Sequence, residues 1–172
     1  MSMNDSFQSE IVNECKRQEE SCLYTSTSLY CWLRSLRRWN RVLVVAPIIL
    51  GGIASWNILD SYNTNPWVMW ACAVAALLAG LLPTIFKTLG LDGHIDYISD
   101  QAATYKNLQD RFRQLGNFAA HKTKEELKQE FDDLMRKMEE VRSKSITAPE
   151  RFFKAAQKKI KGGDYTFDSD PE

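Results

Sequence analysis

The stretch "DGHIDYISD" gathers the side chains best suited to acid–base or metal chemistry, Asp92, His94, Asp96 and Asp100. A histidine and several carboxylates can pass a proton or hold a cation if they converge on one point. At helical spacing they diverge: His94 and Asp96 point apart, whereas Asp96 and Asp100 stack as like charges on one face. An ordinary helix start explains the cluster, and neither a catalytic nor a metal role is expected. The four cysteines, Cys15, Cys22, Cys31 and Cys72, contain no CxxC pair. Cys15 and Cys22 lie one heptad apart and share a helix face, but a metal site needs more ligands and the chain has only two histidines. They read as free thiols. No GxGxxG, P-loop, HExxH or GxSxG is present, so the chain reads as no enzyme and as needing no cofactor.

The elements that would position chemistry turn the reading elsewhere. "PWVMWACAVAALLAGLLPTIF", Pro66 to Phe86, carries no charge and as a helix would match a hydrocarbon core of about 30 Å. "VLVVAPIILGGIASWNIL", Val42 to Leu59, is a second apolar run just upstream. Between Val42 and Phe86 the one charged residue is Asp60, in the connector "DSYNTN". A buried hairpin of a water-soluble bundle would show a polar stripe, because a chain of this size cannot enclose two helices on every side. Neither run shows one. Pro47 and Pro83 are compatible with membrane helices, where neighbours satisfy the freed carbonyl.

Charge gives the orientation. Lys16, Arg17, Arg34, Arg37, Arg38 and Arg41 precede the hairpin, the other Lys and Arg residues follow from Lys87 onward, and the connector has none. By the positive-inside rule both termini are cytoplasmic, in a multi-pass membrane protein. Arg37, Arg38, Trp39, Arg41 and Lys87 are expected as anchors at the inner interface, with Trp67 and Trp70 near the outer one. "MSMNDSFQSE" has no basic charge and position 2 is Ser, so neither a signal peptide nor myristoylation is expected. The net charge is zero, with acids and bases interleaved, which gives no case for a nucleic-acid partner.

The arms read as helical throughout. Ile11, Cys15, Cys22, Leu29, Leu33 and Leu36 follow one face, and no Gly or Pro interrupts the chain from Met1 to Ala46. After the hairpin, Gly90 suits a C-cap and Asp92 an N-cap. Ile95, Ile98, Ala102, Tyr105, Phe112 and Leu115 then form a coiled-coil-like seam, and Gly116 with Asn117 is expected to end or bend that helix. "TKEE" at Thr123 is a capping box before the apolar face Leu127, Phe131, Leu134, Met138 and Val141. Asp132 with Arg136, Asp133 with Lys137 and Glu140 with Lys144 are expected ion pairs on the outer side. "TAPE" starts a short basic amphipathic helix with Phe152, Phe153, Ala156 and Ile160 on its apolar side, suited to packing or to anionic lipid.

The expected fold is therefore an all-α integral membrane protein: a two-span transmembrane hairpin with long, coiled-coil-like cytoplasmic helical arms. Its parts are an N-terminal helix over 1–41, spans over 42–59 and 66–86, an external loop over 60–65, a cytoplasmic helical region over 92–161 and an acidic disordered tail over 162–172. The arm seams fit packing within one chain and packing between subunits alike.

"CLYTSTSLYCWLRSLRRWNRVL" (Cys22 to Leu43), the tight hairpin and "HIDYISDQAATYKNLQDRFRQL" (His94 to Leu115) together resemble the SLATT proteins, the SMODS- and SLOG-associating two-transmembrane effector domains. The resemblance covers Ser21 to Lys161. It implies the membrane effector of a bacterial conflict or antiphage defence system, which oligomerises or perturbs the bilayer when a partner signals. With no sensor fused, the implied nucleotidyltransferase or nucleotide-sensing partner is separately encoded.

Within the spans, Ala71, Ala75 and Ala79 make one small-residue ridge and Ala76 and Gly80 belong to its neighbour, while the first span offers Gly51, Gly52 and Ser55. Such residues let membrane helices approach, either within the hairpin or between chains of a homo-oligomer. Apart from the thiol of Cys72 the spans hold no ionisable side chain, which argues against proton relay or ion-coupled transport. A pore would have only Ser55, Asn57 and Thr84 as polar wall. The competing reading is a non-conducting membrane scaffold that recruits a soluble partner through its cytoplasmic helices.

Overall fold

With nothing to break it, the N-terminal arm continues into the first apolar run as one helix. In the computed structural model α1 spans Met3–Leu59, with Pro47 inside it. Four more helices follow: α2 over Pro66–Thr88, α3 over Leu91–Phe118, α4 over Lys124–Lys144 and α5 over Glu150–Lys161. A 3-10 turn at Ala119–His121 joins α3 to α4. The structure describes residues 3–59, 66–88 and 91–164, without the side chains at 3–5, 53–59, 66, 68, 69, 72, 82, 83, 86, 87, 91 and 92. The fold is all-α, and no strand occurs among the described residues. Among those residues, too, no helix is long and apolar enough to cross a membrane. The connector 60–65, Gly90 and the tail from 165 lie outside the described residues.

Two boundaries differ from the sequence expectation. α3 begins at Leu91, so Asp92 falls inside its first turn and not before it; an acidic residue type there still suits the positive end of the helix dipole. α3 also runs through Gly116 and Asn117 to Phe118. One interior glycine costs only about 1 kcal/mol against alanine, and here the α3 backbone comes close to α1: a Cβ at Gly116 would stand 3.5 Å from Cys15 Cβ.

The chain divides into two units, Met1–Leu33 with Tyr97–Glu172, and Arg34–Asp96. The first is a helical body whose core follows the predicted faces. Ile11, Cys15, Cys22, Leu29 and Leu33 of α1, Ile98, Ala102, Tyr105, Phe112 and Leu115 of α3, and Leu127, Leu134 and Met138 of α4 are buried. Leu108 fills the seven-residue gap in the α3 seam, and burying each such large apolar side chain stabilises the body by about 1.5–3 kcal/mol. Phe131 meets Phe112 edge-on with ring centroids 6.4 Å apart, and Phe153 of α5 lies 6.2 Å from Tyr24. Ala156 fixes α5 as its buried residue. The capping box forms as expected: Thr123 Oγ1 accepts from the Glu126 amide, and the Glu126 carboxylate accepts from the Thr123 amide at 3.1 Å.

The ion pairs of α4 are rearranged. Lys144 pairs with Glu140 at 2.9 Å as expected, but Arg136 turns to Asp133, three residues back, at 2.7 Å. The guanidinium fork reaches that carboxylate without bending the helix, and it takes the partner expected for Lys137. Lys137 instead lines a groove with residues of α3.

Candidate functional site

The unit Arg34–Asp96 holds the residues singled out for the membrane, and the structure distributes them unevenly. At its start α1 presents Arg37, Arg38, Trp39 and Arg41 to the outside, with Arg41 Nε donating to the Arg37 carbonyl at 3.4 Å. A basic turn with an exposed indole is what an inner-leaflet boundary attracts. Immediately after it Val42, Val44, Val45, Ile48 and Ile49 are exposed, Ile48 at 72%. Pro47 is buried among these exposed neighbours.

α2 repeats the pattern. Trp67, Trp70, Val74, Leu77, Leu78, Leu81 and Ile85 are exposed, Trp67 at 82%. They recur every three or four residues and so form a continuous apolar flank. Ala75 and Ala79 are half-buried, whereas Ala71, Ala76 and Gly80 are exposed. Of the two expected ridges, then, only the Ala75 and Ala79 positions are covered within the chain. At Gly51, Gly52 and Gly80 an added Cβ would meet nothing within 4 Å. Among the described residues no side chain or neighbouring backbone comes within that distance of these positions. Thr84 is exposed; Ser55 and Asn57, its proposed companions in a pore wall, lie outside the described side chains, as does Lys87.

The residues expected along the seam of α3 share a buried face. Ile98, Ala102, Tyr105, Phe112 and Leu115 are all buried, as is Ile95 of the second unit. Sequence reasoning missed Leu108, although its place three residues after Tyr105 and four before Phe112 marked it. It also missed the buried polar groups Gln18, Ser26, Thr27, Ser28, Gln101 and Gln109. Gln18 stands three after Cys15 and four before Cys22, so the register pointed to it and its polarity hid it. Its amide is satisfied at both ends: Nε2 donates to Glu14 at 2.7 Å and Oε1 accepts from Arg142 at 3.2 Å.

The thiols are positioned as packing groups. Cys15 and Cys22 are buried and Cys31 is half-buried, all unpaired. Burial pushes the Cys15 thiol up to about 11, with the charges of Glu14 and Glu19 acting in the same direction. Burial likewise pushes Cys22 up to about 11, against a smaller opposite pull from Arg142. The Cys22 thiol donates to the sulfur of Met138 at 3.8 Å. Neither is a thiolate nucleophile at neutral pH. His94, Asp96 and Asp100 are exposed, and among the described residues no three His, Cys, Asp or Glu side chains are grouped to hold a metal ion.

Comparison with known proteins returns no match: no family model, no curated protein and no solved structure matches this chain.

Proposed function

We propose that Val42 to Phe86 is a two-span membrane hairpin with both chain ends on the cytoplasmic side. In this reading the protein is a membrane effector of a bacterial defence system that assembles as a homo-oligomer. It forms a pore or perturbs the bilayer once a separately encoded nucleotidyltransferase or nucleotide-sensing partner activates it. The observation that carries the membrane part is the exposed apolar flank of α2, from Trp67 to Ile85. Large apolar side chains left in water each forgo about 1.5–3 kcal/mol, and exposed patches of this extent mark a lipid or protein partner.

Among the described residues no helix is long and apolar enough to cross a membrane. The sequence of α2 also includes Val68, Met69, Cys72, Leu82, Pro83 and Phe86, whose side chains lie outside them. With these the helix runs uncharged from Pro66 to Phe86, and its full length of 23 residues corresponds to about 34 Å, enough for the hydrocarbon layer. The exposure of Gly52 and Gly80 among the described residues suits contact with a second copy, since small residues are where membrane helices meet. The defence role is supported by the resemblance to the SLATT proteins alone.

Forced expression tests it, alone and with an activated partner. The wild type is expected to dissipate the membrane potential. Replacing Ala75 and Ala79 together by Leu keeps the span apolar and is expected to leave insertion intact while reducing depolarisation. A wild type that is inserted, oligomeric, engaged by its partner and electrically silent would reject the pore. The scaffold reading would then stand, and the observation favouring it is the well-packed helical body, a separate unit with its own core.

A further inference from the structure

The helical body carries a second feature, independent of the membrane reading. Along the α3–α4 boundary lie two grooves of about 330 and 340 Å³. Both are lined by Arg111 and Lys137. The acids around them are mostly engaged: Glu130 with Lys122, Asp133 with Arg136, Glu140 with Lys144. Arg111 and Lys137 are left over, exposed and without an ion pair or hydrogen bond among the described residues. Two uncompensated cations flanking a concavity are a standing attraction for an oxyanion, and the arginine fork matches a carboxylate or phosphate.

At the other end of the second groove Lys144 is engaged by Glu140, and the groups left over are acceptors. Gln101 lines it at 8% exposure, and its Oε1 is buried with no hydrogen-bond partner. Buried Gln18 is bonded at both ends and buried Gln109 accepts from Lys106 at 3.0 Å, so Gln101 departs from how this body treats its buried amides. Leaving such an acceptor unmet is costly, and in native structures the exception calls for an explanation. Asp100 lines the same end, and its carboxylate has no ion pair among the described residues. Between the two ends lie Leu108 and Val141, an apolar floor. Gln101 and Arg111 are ten residues apart on α3. That is about 15 Å along the helix axis, of which the longer Arg111 side chain, tilted back towards the helix N-terminus, closes part.

We propose that this groove binds a small, elongated zwitterion. Its oxyanion is held by Arg111 and Lys137, its apolar middle lies on Leu108 and Val141, and its ammonium or other N–H donor faces Asp100 and Gln101. The volume is that of a small-molecule site, and the polarity runs from one end to the other.

Titration calorimetry on the full-length protein in detergent tests it with 6-aminohexanoate and 6-aminohexyl phosphate, against hexanoate, hexyl phosphate and hexylamine. Both zwitterions are expected to bind, at least about tenfold more tightly than the probes that lack one end, or about 1.4 kcal/mol. The tighter of the two identifies the oxyanion as carboxylate or phosphate. Arg111→Ala and Lys137→Ala should each weaken the zwitterions about tenfold, and both positions are exposed, so circular dichroism should show an intact fold. Gln101→Leu should raise the unfolding temperature by removing the orphan acceptor, while erasing the preference for 6-aminohexanoate over hexanoate. A purely structural Gln101 would give the first effect without the second. Absence of saturable binding by either zwitterion, equal binding of hexanoate, or wild-type affinity in Arg111→Ala overturns the proposal.

Discussion

Leu127 in the helical body and Leu77 in the apolar unit are the same residue on helices of similar length, yet one is fully buried and the other is mostly exposed. In the body apolar residues occupy one face of each helix and polar residues the other, so folding hides the first in a core. In the apolar unit large side chains are exposed along α2 from Trp67 to Ile85 and along α1 from Val42 to Ile49. The body carries the pattern of a structure closed against water. The other unit keeps an apolar flank exposed.

The largest effect that would break this comparison comes from the core. Phe112→Ala is expected to cost the body about 3–5 kcal/mol, read as a large fall in the midpoint of chemical unfolding. Leu77→Ala should leave that midpoint nearly unchanged. Equal losses from both would mean that the exposed flank is packed in the isolated chain.

Next in size is Ala75→Arg, which puts a charge in the middle of α2 at a cost of about 2.5–3.5 kcal/mol on insertion scales. Loss of membrane retention or of protein level is expected, while Lys128→Ala, on the exposed side of α4, should change neither. Unchanged retention of the Arg variant would place α2 outside the bilayer.

A smaller effect sharpens the picture of the body through its thiols. Cys31 should react first with a maleimide, and Cys15 and Cys22 only as the body opens. Both buried thiols have a folded value near 11, raised above the ordinary value of 9.0. Their burial therefore contributes stability that is full below 9.0 and is lost as pH rises towards 11. Unfolding monitored by circular dichroism should show that alkaline decline, reduced in a Cys15→Ala, Cys22→Ala double variant.

The smallest expected change is local. Thr123→Ala removes the cap of α4 and should cost about 1 kcal/mol. The two cap hydrogen bonds from Thr123 hold Glu126 below the ordinary carboxylate value of 4.5. The box therefore contributes above that value and is lost as pH falls through the lower folded one. Hydrogen exchange at the start of α4 should show the difference near neutral pH and lose it in acid.

The contrast also decides what could be read beforehand. The seam of α3 and the face of α4 were legible because apolar residues at three- and four-residue spacing have one stable arrangement. The cap at Thr123 was legible because its chemistry is local. The start of α3 was not, since Asp92 serves equally well before a helix or in its first turn. Gly116 looked like a stop, and became a place of close approach only once Cys15 lay opposite it. The choice of Arg136 over Lys137 as partner for Asp133 depends on side-chain reach, which spacing alone leaves open. Gln101 was invisible because the groove it lines is completed by α4, more than thirty residues away along the chain. For the small-residue positions of the spans, spacing named the ridges but not what covers them. Among the described residues Ala75 and Ala79 are partly covered, and Gly52 and Gly80 are exposed.

The central claim is that the open flank belongs in lipid, and extraction of membranes at alkaline pH tests it most directly. The account predicts that the wild-type protein stays in the sedimented membranes after the wash and is released only by detergent. Full recovery of the protein in the aqueous supernatant would contradict it.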